Sequence, residues 1–200
     1  MPSIITAGDA SNGLVVASGN DGAVVIQSGL AGAKVDALSI AADGQVTSTK
    51  PLGKVVQVVN FQTGAAATGT TIIPLDDTIP QITEGDQYMS LAITPTNTSN
   101  ILIVEVVCQV AASVISAMAV ALFSGPADAV AVCFSRIDAD NGFLPLTLTR
   151  SLVAGGTGAI TFTVRAGMNS AGTTTFNGIS LTSRYGNIPK SSITITEYTA

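Results

Sequence analysis

Short runs of Val, Ile, Leu and Thr alternate with Gly- or Pro-containing turns along almost the whole chain. Strands separated by turn signals about every 8–12 residues are typical of a β-sandwich or a β-barrel. A helical hydrophobic period flanked by capping residues is missing from every segment of the sequence. The pattern therefore predicts an all-β protein.

The longer, C-terminal part of the chain contains most of these strands. About nine strands are predicted there, as many as a jelly-roll sandwich needs. They are Lys54–Phe61, Tyr88–Thr94, Ile101–Val110, Val114–Phe123, Ala129–Arg136, Leu144–Leu152, Ile160–Arg165, Thr173–Leu181 and Ser192–Tyr198. In Ile160–Arg165 and Ser192–Tyr198, apolar residues alternate with polar ones, so one face of each strand is expected to be buried.

Two of the predicted strands are apolar on both faces. They are Ile101–Val110, which is interrupted by Glu105 and Gln109, and Val114–Phe123. A strand that is apolar on both faces usually has both faces covered. Because a two-layer sandwich has no third layer, we expect another subunit to cover the second face, with Val106 among the contacts.

Residues 1–50 contain a loose repeat in which a small polar turn precedes a short apolar strand. The strands are Leu14–Val16, Ala23–Gln27, Ala37–Ile40 and Gln45–Thr47, and the clearest turns are Asn12–Gly13, Asn20–Gly22 and Asp43–Gly44. Strands this short do not build a core of their own, so we expect copies from several chains to pack together. A change of composition near Thr49–Pro51 predicts a boundary between a β-repeat segment, residues 1–50, and a sandwich domain, residues 51–200.

The chain is unusually apolar and weakly charged, with 46% hydrophobic residues, 10% charged residues and a formal net charge of −5. Soluble domains usually contain roughly 25% charged residues. We therefore expect Ser, Thr, Asn and Gly, together with identical subunits, to cover much of the surface. The eight Lys and Arg residues are scattered along the sequence. Binding to a phosphate backbone needs clustered cations, so nucleic acid is not an expected partner.

The apolar stretch of residues 101–125 is long enough to be considered as a membrane helix. Glu105 and Gln109 interrupt its first half, no Lys or Arg flanks it, and its β-branched residues favour strands. We therefore expect no membrane partner. The N-terminus lacks the basic and long apolar regions of a signal peptide, so none is predicted.

Residue types that usually perform catalysis or bind metals are scarce. The chain has no His, and its two cysteines, Cys108 and Cys133, lie in apolar runs. Ser-His and Cys-His pairs and a zinc site built from Cys and His are therefore excluded. We predict two buried thiols, with one disulfide between neighbouring strands as the alternative.

Three further stretches resemble functional motifs but fit ordinary turns better. Asp76–Asp77 is an acidic pair in a polar segment, Asp138–Gly142 departs from the spacing of an EF-hand, and Gly155–Gly158 joins two strands. The sequence therefore assigns no catalytic, cofactor-binding or metal-binding residue. We predict that the protein is not an enzyme and uses no cofactor.

Charged and aromatic side chains within the strands suggest contacts between strands or subunits. Glu105, Arg150 and Arg165 are expected to form cross-strand or intersubunit pairs. The three tyrosines, Tyr88, Tyr185 and Tyr198, are too few for a sugar-stacking platform unless one of them lines a groove between subunits.

Several segments resemble, in their order along the chain, the tumour-necrosis-factor-like jelly-roll domains that end many phage fibre and decoration proteins. Leu52–Val59 is similar to the opening strand of that family, and Ile93–Ile103 to its Thr-Pro, Ser-rich turn and the strand that follows. Phe162–Gly167 is similar to the penultimate long strand, and Ser191–Glu197 to the closing strand, which ends in an acidic residue. Ser18–Val46 is similar to repeats near the N-termini of phage fibre and head proteins.

The resemblance implies a homotrimer with a jelly-roll knob on the surface of a phage virion, made in the host cytoplasm. Under this hypothesis the protein is a capsid decoration (cement) or head-fibre protein that acts by non-covalent binding. Residues 1–50 then attach it to the major capsid protein or to another virion protein. The alternative is a tail-fibre or receptor-binding tip that recognises host surface glycans. A cellular trimeric ligand is a third alternative, which the phage-like N-terminus disfavours.

Overall fold

A computed structural model of the chain describes three strands in residues 24–48 and the continuous stretch of residues 54–200. The chain forms two compact units, Met1–Leu52 and Gly53–Ala200. In the first unit, β1 (Val24–Ser28), β2 (Val35–Ile40) and β3 (Val46–Ser48) form an antiparallel sheet in that order.

Three of the four strands predicted in residues 1–50 are therefore present. The remaining one, Leu14–Val16, lies outside the described residues, as do the predicted turns at Asn12–Gly13, Asn20–Gly22 and Asp43–Gly44. The repeat and its role in attachment stay predictions.

The second unit is built from strands, which confirms the all-β prediction. Its elements are β4 (Val55–Thr63), β5 (Ala67–Gly69), β6 (Asp86–Ile93), β7 (Ile101–Ala112), β8 (Ser116–Ser124), β9 (Ala129–Ile137), β10 (Gly142–Val153), β11 (Ile160–Met168), β12 (Thr174–Phe176), β13 (Gly178–Ile179), β14 (Thr182–Ser183), a short 3₁₀ turn (Tyr185–Asn187) and β15 (Ser191–Tyr198). The predicted long strand Thr173–Leu181 is wrong. Asn177, Ser180 and Leu181 have positive φ, which breaks that segment into the short strands β12 and β13.

The long strands form two antiparallel sheets. In sheet 1, β7 pairs along one edge with β10, and along the other edge first with β15 and then with β12. Strand β4 extends this sheet beyond β15, and β5 extends it beyond β12. Sheet 2 has the order β6-β11-β8-β9.

This strand order is that of a jelly roll. Without the short strands, sheet 1 is β4-β15-β7-β10 and sheet 2 is β6-β11-β8-β9. The chain therefore crosses between the sheets after every long strand except β8, which forms a hairpin with β9. Two interlocked Greek keys of this kind define the jelly-roll sandwich.

The core lies between the two sheets and follows the predicted alternation. On β11, Phe162 and Val164 point inward and are fully buried, and on β15 the same holds for Ile193 and Ile195. From sheet 1, every second residue of β7 from Leu102 to Val110 joins them. Inward-facing apolar residues of both sheets therefore form one continuous core.

The second face of β8 corrects the expectation that another subunit must cover it. Ile73 and Ile82, from the segment between β5 and β6, pack against Ala121 and Phe123 on that face. Hydrogen bonds hold this segment in place, from the Ile73 N–H to the Met168 carbonyl (3.0 Å) and from the Gly85 N–H to the Ile72 carbonyl (2.9 Å). A loop of the same chain thus supplies the third layer.

A glycine on β11 allows this covering segment to pack closely. Gly167 on β11 approaches its backbone so closely that a Cβ there would lie 2.7 Å from the Thr71 carbonyl oxygen.

Val106 corrects a second expectation, because it is buried in the core of the chain itself and not at a surface between subunits.

Candidate functional site

The two ends of the sandwich differ in how their loops are built. At one end lie the loops 113–115, 138–141 and 169–173 and the long 177–190 loop, which contains β13, β14 and the 3₁₀ turn. Hydrogen bonds connect them, from the Thr173 N–H to Ser113 Oγ (2.9 Å) and from Ser180 Oγ to Asn141 Oδ1 (2.8 Å). At the other end, the loop 94–100 binds Glu197 and is joined by backbone hydrogen bonds to the loop 154–159.

The 177–190 loop begins at a buried anchor. The side-chain nitrogen of Asn177 donates hydrogen bonds to the carbonyl oxygens of Thr63 (2.9 Å) and Ala65 (3.2 Å). Its side-chain oxygen accepts one from Ser191 Oγ (2.7 Å). Asn177 therefore has all its polar partners inside the chain, and its role is to fix the start of the loop.

Beyond this anchor the backbone of the loop adopts an unusual conformation. Ser180, Leu181, Tyr185 and Asn187 have φ values between 48° and 65°. Non-glycine residues rarely occupy this left-handed region, and each costs of order 1–3 kcal/mol of strain. Strain of this kind is concentrated at functional sites in proteins. The loop therefore qualifies as a candidate site on conformational grounds.

A small cavity lies between this loop and the start of β10. Its volume is about 140 Å³, and it is lined by Phe143, Asn177, Gly178, Ile179, Arg184, Tyr185 and Pro189. Tyr185 is 84% exposed and Phe143 is 38% exposed, so both aromatic rings can be reached from solvent. The lining is thus mainly apolar, with one cation at its wall.

The charges around the cavity are positive. The 177–190 loop contains Arg184 and Lys190 and no acidic residue, in a chain of net charge −5. Within the described residues, the guanidinium group of Arg184 makes a single long hydrogen bond, 3.5 Å, to the carbonyl oxygen of Ser183. In the neighbouring 138–141 loop, Asp138 pairs with Arg136, and Asp140 accepts a hydrogen bond from the Ile115 N–H.

The opposite end of the sandwich holds a buried carboxylate, Glu197. Its Oε1 accepts hydrogen bonds from Asn100 Nδ2 (2.6 Å) and from both the N–H (2.8 Å) and the Oγ1 (2.9 Å) of Thr96. Its Oε2 accepts one from Gln57 Nε2 (2.6 Å). Burial by itself raises the pKa of a carboxyl group, but these hydrogen bonds outweigh it and lower the pKa of Glu197 to about 2.

Every donor to Glu197 belongs to the chain itself, so this carboxylate ties strands β4 and β15 to the loop before β7. The sequence places Glu197 at the end of the closing strand but does not indicate this role. The cavity at the opposite end was not predicted either. Its signal in the sequence is the acid-free run of turn-forming residues from Asn177 to Lys190.

The outer face of sheet 1 carries an apolar patch. Strand pairing places Val55, Tyr198, Ile101 and Val153 in one row across β4, β15, β7 and β10. In the adjacent row, Val58 and Ile103 alternate with Thr196 and Ser151. The first row together with Val58 and Ile103 is what we call the apolar patch. The next row is polar and consists of Asn60, Thr194, Glu105 and Thr149.

The candidate acids and glycines of the sequence analysis occupy turns, as predicted. Asp76 accepts hydrogen bonds from the N–H and Oγ1 of Thr78, which lower its pKa. Asp138 and Asp140 act in the separate contacts described above. Gly155 has a φ of 70° in the loop between β10 and β11.

The expected cross-strand charge pairs are wrong. Glu105 lies opposite Thr149 and Thr194, and Arg150 lies opposite Val104. Arg165 instead donates hydrogen bonds to the carbonyl oxygens of Glu84 (2.8 Å) and Gly85 (2.7 Å), so it secures the segment that covers β8. Intersubunit pairing of Glu105 and Arg150 stays a prediction.

The two cysteines are free thiols, Cys108 fully buried and Cys133 half-buried, so the disulfide alternative is not adopted. Burial raises the pKa of both thiols, which makes them poor nucleophiles. Of the three tyrosines, Tyr88 stacks on Phe176 inside the sandwich, with the ring centroids 4.8 Å apart.

The described parts of the chain lack two further features, a metal-binding cluster and a membrane-spanning helix. Within these residues, no group of three or more acidic or cysteine side chains is placed to hold a metal ion. Among the same residues, no helix has the length and apolar character needed to cross a membrane.

The comparisons with known proteins concern the fold. No family model and no curated protein matches the chain. A solved CBM4 structure is 14% identical to this chain with a TM-score of 0.34, and the match covers 65% of this chain and 77% of the CBM4 chain. The enzymatically active domain of bacteriophage CBA120 tailspike protein 4 is 13% identical with a TM-score of 0.26, and the match covers 64% of this chain. Dimeric latent PorU from Porphyromonas gingivalis is 8% identical with a TM-score of 0.36, and the match covers 76% of this chain.

The chain spans 20% of the tailspike domain and 14% of PorU. At these identities and TM-scores, the likenesses carry no argument about function. Any function must be argued from the surfaces of the chain itself.

Proposed function

We propose that this protein is a structural component of a bacteriophage virion, a decoration or head-fibre protein that acts by binding as a homotrimer. The phage setting is supported by the segments that resemble phage fibre and decoration proteins, in matching order along the chain. The jelly roll serves as the assembly and display domain. Residues 1–50 attach to the major capsid protein or to another virion protein.

One observation carries the proposal of assembly, namely the apolar patch on sheet 1, above all its first row. Its first row runs without a polar residue across four strands, and strands lie about 4.8 Å apart, so the row spans roughly 15 Å. Val58 in this patch is 56% exposed in the single chain. Apolar area removed from water contributes roughly 25 cal/mol per Å². A contiguous patch of this kind is typical of a surface that binds another protein.

The outer face of sheet 2 is covered in part by the chain itself. The chain's own Ile73 and Ile82 already cover Ala121 and Phe123 there. Sheet 1 has no such cover over Val58 within the described residues. On the same outer face of sheet 2, the edge strand β9 leaves Val132 and Phe134 exposed, so sheet 2 is the alternative interface that the test below distinguishes.

The side chains within the described residues favour a binding role over catalysis. The cysteines have raised pKa values and the buried carboxylate is fully hydrogen-bonded. Of the acids on strands, Asp86 accepts hydrogen bonds from Thr71, and Glu105 lies opposite Thr149 and Thr194. Trimeric attachment adds avidity, so that weak individual contacts give a long-lived complex with the particle.

A matched pair of substitutions tests the proposal. Val58 and Val132 are both exposed valines on edge strands, Val58 on sheet 1 and Val132, 48% exposed, on sheet 2. We expect Val58→Asp to convert the trimer into a folded monomer, because a charge would be buried without a partner in the interface. Val132→Asp should leave the trimer intact. Light scattering gives the mass, and circular dichroism confirms that both variants keep their strands.

The same variants test the role on the particle. Electron microscopy should locate the wild-type trimer on the surface of intact virions, and Val58→Asp should wash off because it has lost avidity. A wild-type monomer at micromolar concentration would contradict the trimer. If Val132→Asp separates the subunits and Val58→Asp does not, the interface lies on sheet 2.

A further inference from the structure

The cavity beside the 177–190 loop is suited to a single ring-shaped group. Its volume is about 140 Å³, comparable to the roughly 150 Å³ apolar cavities that hold one benzene molecule. Phe143, Ile179 and Pro189 provide apolar lining, and Gly178 brings the backbone close. A ring with at least one apolar face therefore fits better than a linear chain.

Tyr185 supplies an unusually available aromatic surface. It is 84% exposed, and its backbone has a φ of 48°. A bulky side chain in the left-handed region is costly, so its position over the cavity is imposed by the surrounding loop. The flat face of an aromatic ring carries negative charge density and packs against weakly positive C–H groups. The apolar face of a pyranose presents such C–H groups.

Arg184 determines the charge that the cavity favours. Its guanidinium group is the one charged group of the lining and is not part of a salt bridge within the described residues. Lys190 follows the lining residue Pro189, and the loop has no acidic residue to oppose either cation. A guanidinium group binds a carboxylate through two parallel hydrogen bonds. The ligand should therefore carry a carboxylate next to its ring.

We propose that this cavity binds the terminal residue of an acidic saccharide, with the sugar ring packed against Tyr185 and Phe143 and its carboxylate paired with Arg184. The hydroxyl groups at the rim remain in water. This goes beyond the proposed structural role and does not depend on trimer formation. Strand pairing places Phe143 opposite Ala111, at the other end of sheet 1 from Val153 and the apolar patch. Assembly and saccharide binding can therefore occur together.

An acidic peptide offers the same charge but fits the shape less well. Peptides usually bind as a strand on a sheet edge or as a helix in a long groove. The cavity here is a compact pocket bounded by a loop. An acidic peptide is therefore included in the test as a competing ligand.

The test uses the full-length protein and simple glycosides observed by saturation-transfer NMR. Methyl glucuronide and methyl glucoside differ by a carboxylate, and the methyl glycoside of N-acetylneuraminic acid serves as a second acidic probe. We expect millimolar binding of at least one acidic probe, about tenfold tighter than that of the neutral glucoside. A tetraglutamate peptide should bind more weakly than the acidic sugar.

Variants assign the binding to the cavity. Arg184→Gln should remove the advantage of the acidic probe and leave the weak binding of glucoside unchanged. Tyr185→Ala should weaken both sugars about fivefold or more, because the stacking surface is lost. Arg150→Gln, an exposed arginine on β10 outside the cavity, is the matched control and should have no effect.

Three results would overturn the proposal. The first is the absence of binding by both acidic probes up to about 20 mM, well above a millimolar dissociation constant. The second is binding that Arg184→Gln and Tyr185→Ala leave unchanged. The third is tighter binding of tetraglutamate than of either sugar.

Discussion

The two ends of the sandwich illustrate two ways in which a protein treats polar groups. At one end, Glu197 is buried and receives four hydrogen bonds from Asn100, Thr96 and Gln57. At the other end, Arg184 is exposed and, among the residues that the structure describes, has one long hydrogen bond to its neighbour Ser183. A charge whose partners all come from the chain contributes to folding. A charge without such partners remains available to a ligand.

Backbone conformation shows the same difference. Around Glu197, the loops 94–100 and 154–159 are joined by backbone hydrogen bonds, such as the one from the Ala154 N–H to the Asn100 carbonyl (2.9 Å). In the 177–190 loop, the non-glycine residues with positive φ are strained. The comparison indicates that substitutions near Glu197 should affect stability and that substitutions in the loop should affect binding more than stability.

The largest effect on stability is expected from Glu197→Gln. The amide group places a donor opposite Gln57 Nε2, so at least one buried hydrogen bond is lost. We expect the free energy of unfolding to fall by roughly 2–4 kcal/mol. Urea denaturation at a fixed protein concentration measures it. Asp77→Asn, an exposed acid in a turn, is the control and should stay within about 0.5 kcal/mol of wild type. Equal effects of the two substitutions would contradict the role of Glu197.

Acid should reveal the same carboxylate with a smaller and gradual effect. The pKa of Glu197 is about 2 in the folded protein and 4.5 without the fold. Because the folded value is the lower one, its contribution to stability is complete above pH 4.5 and declines as the pH falls toward about 2. The thermal unfolding temperature of the wild-type protein should fall as the pH falls through this window. The stability of Glu197→Gln should decline less steeply with falling pH. Parallel pH profiles of the variant and the wild type would refute the low pKa of Glu197.

The smallest effect, of opposite sign, is expected in the strained loop. Leu181 is exposed with a φ of 65°, whereas Ile188 in the same loop is exposed with an ordinary φ of −67°. Leu181→Gly should raise the free energy of unfolding by about 0.5–1 kcal/mol, because glycine adopts positive φ without strain. Ile188→Gly should lower the free energy of unfolding slightly, since glycine relieves no strain at this position and only raises the chain entropy of the unfolded state. If both substitutions destabilise the protein, the loop is not strained.

Much of the fold could be predicted from the sequence, because strands leave a local signal. The inward positions of β11 and β15 follow directly from the alternation of apolar and polar residues. The strand prediction failed at Thr173–Leu181, where apolar and β-branched residues continue across Asn177. There the conformation depends on the hydrogen bonds of Asn177 to Thr63 and Ala65, 114 and 112 residues away.

The covering of β8 was predicted in kind but not in its source. An apolar second face indicated that something must cover Ala121 and Phe123. Which segment does so depends on where Ile73 is carried by the chain, and Arg165 helps to decide this by binding the carbonyls of Glu84 and Gly85. Sequence alone does not show this choice, since a loop of the same chain and a second subunit bury apolar area equally well.

By itself, the sequence determined the all-β class, most of the strands, their buried faces and the scarcity of catalytic side chains. These features depend on residue type and on a period of two, both of which are local. Tertiary structure decided the jelly-roll strand order, the hydrogen bonds of Glu197 and the cavity beside Tyr185. The donors Asn100 and Gln57 reach Glu197 across 97 and 140 residues, and Phe143 meets the 177–190 loop through folding. Contacts between distant segments arise when the sheets close over a shared core.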